Sequence, residues 1–279
     1  MPDSSPTSST QRFYDELASD YDLIYADWER SIQRQADALD RIIRGELTGP
    51  SLTVLDCTCG IGTQAIGLAM RGYQVRGTDL SPASVARAAA ESEKLGLKLS
   101  FAVADVRDLA NQVEGTYDVV LSGDNALPHL LTDADLLRAL RAVRTKLRPN
   151  GLFLASIRDY DRLAIERPRL DQPRVIDGPD GRRVTFQVWD WSDAGPIYTV
   201  HQFIVQERGS EWKTTHAATE YRALQREELT ALLKQGGFVD IRWRLPDETA
   251  FFQPIVTARG DSAGPRDQAV PCSELNRTD

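Results

Sequence analysis

Between residues 52 and 157 the chain repeats one unit: a short apolar run of strand length, a turn, and a helical stretch. The strand-like runs cover 52–55, 74–78, 99–103, 117–121 and 152–157, with helices expected over 64–70, from Ser81-Pro82 onward, and over 133–147. Strands joined by helical crossovers pair in parallel and carry helices on both faces. The fourth run, YDVVL, is nearly all apolar, as a strand buried on both faces requires. The turn Arg148-Pro149-Asn150-Gly151 is expected to separate the last helix from strand five. The rhythm then changes. RRVTFQVWDW, IYTVHQFIVQ and EWKTTHAATEY are strand-like with no helix between them, which implies a small antiparallel sheet inserted after strand five. A helix over 226–235 and strands over 239–243 and 252–257 return the chain to the first sheet. The expected class is α/β, a doubly wound, mostly parallel, seven-stranded sheet with an N-terminal helical segment and an antiparallel β insertion.

Six segments follow from that reading. Residues 1–10, rich in Ser, Thr and Pro, read as a disordered tail, and 259–279, without hydrophobic periodicity, as a second one. Between them lie an aromatic-rich helical segment (11–46), a ligand-binding core (47–160), the insertion (161–222) and the end of the core (223–258). The first helix shows its apolar face as Ile32, Ala36, Leu39, Ile42 and Ile43.

Acids exceed bases in the 279 residues, giving a net charge of -8. A protein that grips phosphate backbones carries the opposite balance, so nucleic acid is not an expected partner. The start lacks a signal-peptide pattern and no run reaches membrane-span length, so the cytoplasm is expected and no membrane partner. Cys57, Cys59 and Cys272 are too few and too unevenly spaced for a disulfide framework. Two thiols on one tight turn, with three histidines elsewhere, are a poor metal site, and none is expected.

The loop after strand one, Gly60-Ile61-Gly62-Thr63-Gln64-Ala65, formally satisfies a dinucleotide fingerprint. Its charge argues otherwise. No Lys or Arg lies between Asp56 and Ala69, and Asp56 would repel a pyrophosphate but attract a cation. S-adenosylmethionine carries an ammonium, a sulfonium and no phosphate, so it suits this loop better than NAD. Asp79, at the end of strand two, can accept from both ribose hydroxyls. Asp105, beyond strand three, is placed to accept from the adenine amino group. Each acid alone reads as a helix N-cap or a solvated turn. Three at the ends of successive strands read as a ligand site, and they argue against a binding protein that has lost its chemistry.

V54-L-D-C-T-C-G-I-G-T63, G77-T-D-L-S81, A104-D105 and L147-R-P-N-G151 resemble the class I S-adenosylmethionine-dependent methyltransferases, over about residues 12 to 258. The resemblance implies the Rossmann-like methyltransferase fold. It departs at Thr58, where the family has the first glycine of its loop. Within the family, the loop Asp124-Asn125-Ala126-Leu127-Pro128-His129, the run Arg158-Asp159-Tyr160-Asp161 and the Tyr21…Trp28…Arg34 series are similar to the glycine/sarcosine N-methyltransferase group. The likeness makes 11–46 a lid over the methionyl end of the cofactor and the insertion an acceptor cap. It implies cofactor contacts from Tyr21, Trp28, Arg34, Asp56, Gly60, Gly62, Asp79, Leu80, Asp105, Val106, Ser122 and His129. It also implies acceptor contacts from Arg158, Asn125, Tyr25 and Tyr160, with Arg158 on a carboxylate.

Asn125 and His129 are the candidate catalytic residues: Asn125 would orient the amine, and His129 would take a proton or only orient. His201 and His216 read as structural. The expected activity is methyl transfer to the nitrogen of a small amino acid such as glycine or sarcosine. The alternative is a natural-product N-, O- or C-methyltransferase with a small, aromatic or heterocyclic acceptor, favoured by the aromatic residues of the insertion. A homo-oligomer is what the group suggests, and nothing in this chain demands it.

Overall fold

The computed structural model describes residues 8–178, 181–193 and 195–260. The first three helices are α1 (Ser9–Leu17), α2 (Trp28–Glu46) and α3 (Thr63–Ala69). The five parallel strands are β1 (Thr53–Asp56), β2 (Gln74–Asp79), β3 (Ser100–Val103), β4 (Tyr117–Ser122) and β5 (Leu147–Ser156). Between them lie α4 (Pro82–Lys94), the short α5 (Leu109–Gln112) and α6 (Asp133–Thr145). After α7 (Tyr160–Glu166) come β6 (Arg174–Gly178), β7 (Gly181–Trp191), β8 (Ile197–Arg208) and β9 (Glu211–Arg222). The chain closes with α8 (Arg226–Gln235), β10 (Phe238–Arg244), α9 (Pro246–Thr249) and β11 (Ile255–Gly260).

The seven-stranded sheet has the order β10-β11-β5-β4-β1-β2-β3, with β11 antiparallel to both neighbours. Strand alternation divides its core into two faces. Val54, Val119, Leu121, Leu152 and Leu154 pack with Ala38, Leu39, Ile42 and Ile43 of α2. Leu55, Val120, Phe153 and Ala155 pack with Leu136 and Leu140 of α6 and Leu229 and Leu233 of α8. The order reverses at β1, between β4 and β2, so the loops after these strands open a crevice at their carboxyl ends. The four antiparallel strands form a separate sheet, β6-β7-β8-β9. Phe13 and Leu17 of α1 bury against Ile204 and Ala217 of that sheet, which holds the N-terminal segment over the crevice.

Several boundaries differ from expectation. Ser9 and Thr10 are helical, not tail: Ser8 caps α1, its Oγ accepting from the Gln11 N–H at 3.1 Å. Ser and Thr favour helix N-caps and equally favour disorder, so composition alone could not divide them. At the other end, Arg259 and Gly260 extend β11, with Arg259 bound to Glu46 at 3.1 Å. Residues 1–7 and 261–279 of the two expected tails lie outside the described residues, as does Cys272. The Arg148–Gly151 turn sits inside β5, where left-handed Asn150 accompanies a register shift against β4. A helix, α7, opens the insertion ahead of its strands.

Candidate functional site

Two cavities adjoin at the switch point. The smaller, about 360 Å³, lies over the β1, β2 and β3 loops and under α1. Tyr21, Gly60, Asp79, Leu80, Asp105, Val106 and His129 are on its wall. Gly60 and Gly62 have φ of +51° and +92°, left-handed values that turn the chain from β1 into α3. That turn aims the Gly60 N–H at Asp79 Oδ2, at 2.8 Å, while Oδ1 accepts from the Ser81 N–H at 2.9 Å. Burial raises the Asp79 pKa against these two bonds. Thr58, where the family has glycine, has no positive φ, and its hydroxyl bonds Ser122 Oγ at 3.1 Å. A β-branched residue therefore fits here without backbone strain.

The other expected cofactor residues are off this wall. Asp56 is fully buried beneath the loop; burial pushes its pKa up to about 7, and its Oδ2 has no hydrogen-bond partner. Gly62 is the N-cap of α3. Ser122 is buried behind Thr58. Trp28 Nε1 donates to Thr63 Oγ1 at 2.9 Å, tying α2 to the start of α3. Arg34 lines the neighbouring cavity instead.

Asp56 and Asp79 have no ion pair among the described residues, and no base stands in the loop between them. Asp105, by contrast, is held by Arg107 at 2.6 Å, which outweighs its burial and lowers its pKa. Two carboxylates without a cationic partner among the described residues, one lining this small cavity and one beneath its loop, suit a cationic ligand with ribose hydroxyls, which is what S-adenosylmethionine presents. No group of three or more metal-ligating side chains occurs among the described residues.

The larger cavity, about 630 Å³, lies between α2, the start of α7 and the antiparallel sheet. Arg158 lines it, its guanidinium 4.7 Å from the Trp189 ring centre and 5.1 Å from that of Tyr221. Its two terminal nitrogens donate to Tyr198 Oη at 2.9 Å and Gln187 Oε1 at 3.1 Å. It has no carboxylate partner among the described residues.

Asn125 and Tyr160 are not cavity residues. Asn125 is buried; its Oδ1 accepts from the Arg158 backbone N–H at 2.9 Å and its Nδ2 donates to Tyr160 Oη at 2.9 Å. Tyr160 in turn bonds Tyr198 Oη at 2.8 Å. Both side chains are engaged in the network that holds Arg158. His129 is similarly occupied. Its Nδ1 faces the Glu220 carbonyl at 3.2 Å, which can only accept, so Nδ1 carries the proton and Nε2 accepts from Tyr14 Oη at 2.8 Å. Burial pushes its pKa down to about 3, so it is neutral and is not a free base.

The carboxylate that does face both cavities is Asp124, a loop residue to which the sequence reading gave no role. Its oxygens accept from Tyr25 Oη at 3.1 Å and Gln253 Nε2 at 3.3 Å, and burial raises its pKa. Tyr21 and Tyr25 also line both cavities. Asp124 and Asn125 have φ of +50° and +65°. Two consecutive left-handed non-glycine residues mark a strained functional turn, and Asp-Asn is the pair that tolerates it.

Residues 54–151 match a family model described as a methyltransferase domain. A glycine/sarcosine N-methyltransferase of Parasynechococcus marenigrum is 28% identical over 55% of this chain and 53% of its own length. A ubiquinone biosynthesis O-methyltransferase of Xanthomonas campestris is 34% identical over 39% of this chain and 44% of its own. The chain thus spans about half the length of these curated relatives. A crystal structure of an S-adenosylmethionine-dependent methyltransferase from Clostridium acetobutylicum superposes with a TM-score of 0.69 at 19% identity, covering 88% of this chain and 99% of that one. Residues 54–151 thus match a methyltransferase domain, and the fold is the one seen in solved S-adenosylmethionine-dependent methyltransferases.

Proposed function

We propose that this protein methylates the amino nitrogen of a small amino acid, glycine or sarcosine being the simplest candidates. The observation that carries the reading is the pairing of Asp124, open to both cavities, with Arg158, a guanidinium on the second that has no counter-ion among the described residues. An amino acid is their complement, its carboxylate on Arg158 and its amine beside Asp124. The chemistry supplied by bound S-adenosylmethionine is an activated methyl group on a sulfonium. Asp79, Gly60 and Leu80 would hold its nucleoside, with Asp56 adding negative charge beneath. Asp124 stabilises positive charge developing on the amine and can accept its proton. Tyr21 and Tyr25, roofing both cavities, exclude water. The glycine/sarcosine relative supports this reading.

The second reading is O- or N-methylation of a flat acceptor, favoured by Trp189, Tyr221 and Phe252 on the cavity wall and by the O-methyltransferase relative. Release of S-adenosylhomocysteine separates them, measured with glycine, sarcosine, dimethylglycine and aromatic or heterocyclic acids. Turnover of an amino acid supports the first; turnover of aromatic acids alone replaces it with the second. The acceptor is in either case a small molecule. No helix of the described residues is long and apolar enough to cross a membrane.

A further inference from the structure

We propose that the acceptor carries a second acidic group, a carboxylate or a phosphate, bound by Arg162 and Arg174 at the mouth of the larger cavity. This rests on the reading of that cavity as the amino-acid site. Four guanidiniums line it, those of Arg34, Arg158, Arg162 and Arg174, against the carboxylates of Asp124, Asp159 and Asp171. Asp159 is already neutralised by Arg226 at 3.0 Å, and Asp171 Oδ1 accepts from the Gln187 N–H at 3.0 Å. Arg174 is exposed and has no ion pair among the described residues. Arg162 reaches only Glu166, at 3.9 Å, and an exposed pair at that distance contributes little.

A chain of net charge -8 thus gathers an excess of positive charge around one opening, where it draws anions in. The amino acid's own groups account for Arg158 and Asp124, and the Asp171 carboxylate offsets one of the three guanidiniums that remain. Among the described residues neither Arg162 nor Arg174 has a carboxylate closer than 3.9 Å. Size agrees. A cavity of about 630 Å³ is in the range that encloses drug-sized ligands, and glycine, whose side chain is a hydrogen atom, fills little of it. A longer amino acid ending in an acid reaches from Asp124 to the mouth and balances the charge.

The test compares matched acceptors with S-adenosylmethionine: aspartate with asparagine, glutamate with glutamine, and O-phosphoserine with serine. In parallel, the melting temperature of the S-adenosylhomocysteine-loaded protein is read with each compound. One acidic member should exceed its neutral partner about tenfold or more in kcat/KM. That ratio should collapse towards one in the Arg162→Gln/Arg174→Gln double variant. Preference within the first two pairs identifies a carboxylate, and within the third a phosphate. Equal or better turnover of the neutral members overturns the proposal, as does a preference that survives the double substitution. If no amine turns over but an acidic compound raises the melting temperature only with both arginines present, amino-acid methylation falls and the anion subsite stands. Neither turnover nor a shift overturns both.

Discussion

The two cavities are built from different material. The smaller is walled mainly by the segments that follow β1, β2, β3 and β4, and its chemistry lies in carboxylates gripped by the backbone. The larger draws on side chains of α2, α7 and the antiparallel sheet, and its chemistry lies in guanidiniums set among aromatic rings. Positions at strand ends are dictated by the parallel sheet, so the first site varies little without loss of the fold. The second hangs on appended elements, where side chains can change while the sheet stays intact. On the proposed reading, the scaffold fixes the cofactor and the attachments choose the acceptor.

The largest effect that separates the two is expected at Asp79. Replacing it by Ala strips the acceptor from two backbone N–H groups and from the ribose. Cofactor affinity should fall about 100-fold or more, since hydrogen bonds to charged groups contribute about 1.5–3 kcal/mol each. Calorimetric titration with S-adenosylhomocysteine reads it, and an affinity within a few fold of wild type removes the ribose assignment. Arg158→Met should act on the other side alone, raising the acceptor KM by about 10- to 100-fold while the cofactor Kd stays within about twofold. The reverse pattern would move Arg158 into the cofactor site and dissolve the division.

What the sequence disclosed follows the same division. Asp56, Gly60, Asp79 and Asp105 could be singled out as candidates because each stands at a fixed step after an apolar strand run, and such steps need no tertiary knowledge. Asn125, His129 and Tyr160 were legible as a pattern but not in their roles. A hydrogen-bonding side chain beside a site can face the ligand or support the residue that does, and only three-dimensional contacts distinguish these. The bonds of Asn125 and Tyr160 end on Arg158 and Tyr198. Asp124 was passed over beside Asn125, although two residues in a left-handed turn point their side chains differently. The arginine wall was invisible because Arg34, Arg162 and Arg174 come from separate segments that meet only once the insertion folds back.

Asp124→Asn tests the junction between the cavities. It keeps the shape and removes the charge that faces the amine, so the acceptor KM should rise and kcat should drop about 10- to 100-fold while the cofactor affinity changes little. The wild-type rate should rise with pH as the carboxylate ionises, and that rise should be missing in the variant. Equal pH profiles would assign the charge at the junction to another group.

The smallest effect is expected beneath the cofactor loop. Asp56 has a pKa of about 7 in the folded chain, against an ordinary value near 3.8, because burial disfavours its charge. Between those values the folded protein holds a proton that the unfolded chain has lost. Stability from this group is therefore present below pH 4 and lost as pH rises through 7. Asp56→Asn has no proton to lose, so its melting temperature relative to wild type should climb between pH 5 and pH 8. A bound cation reverses the preference of the wild-type carboxylate, so saturating S-adenosylmethionine should shrink that climb. Ligand affinity for the wild type should correspondingly increase over the same interval. A gap that is flat with pH, with and without the ligand, would mean that Asp56 stays ionised throughout and that the small cavity supplies its negative charge without a desolvation cost.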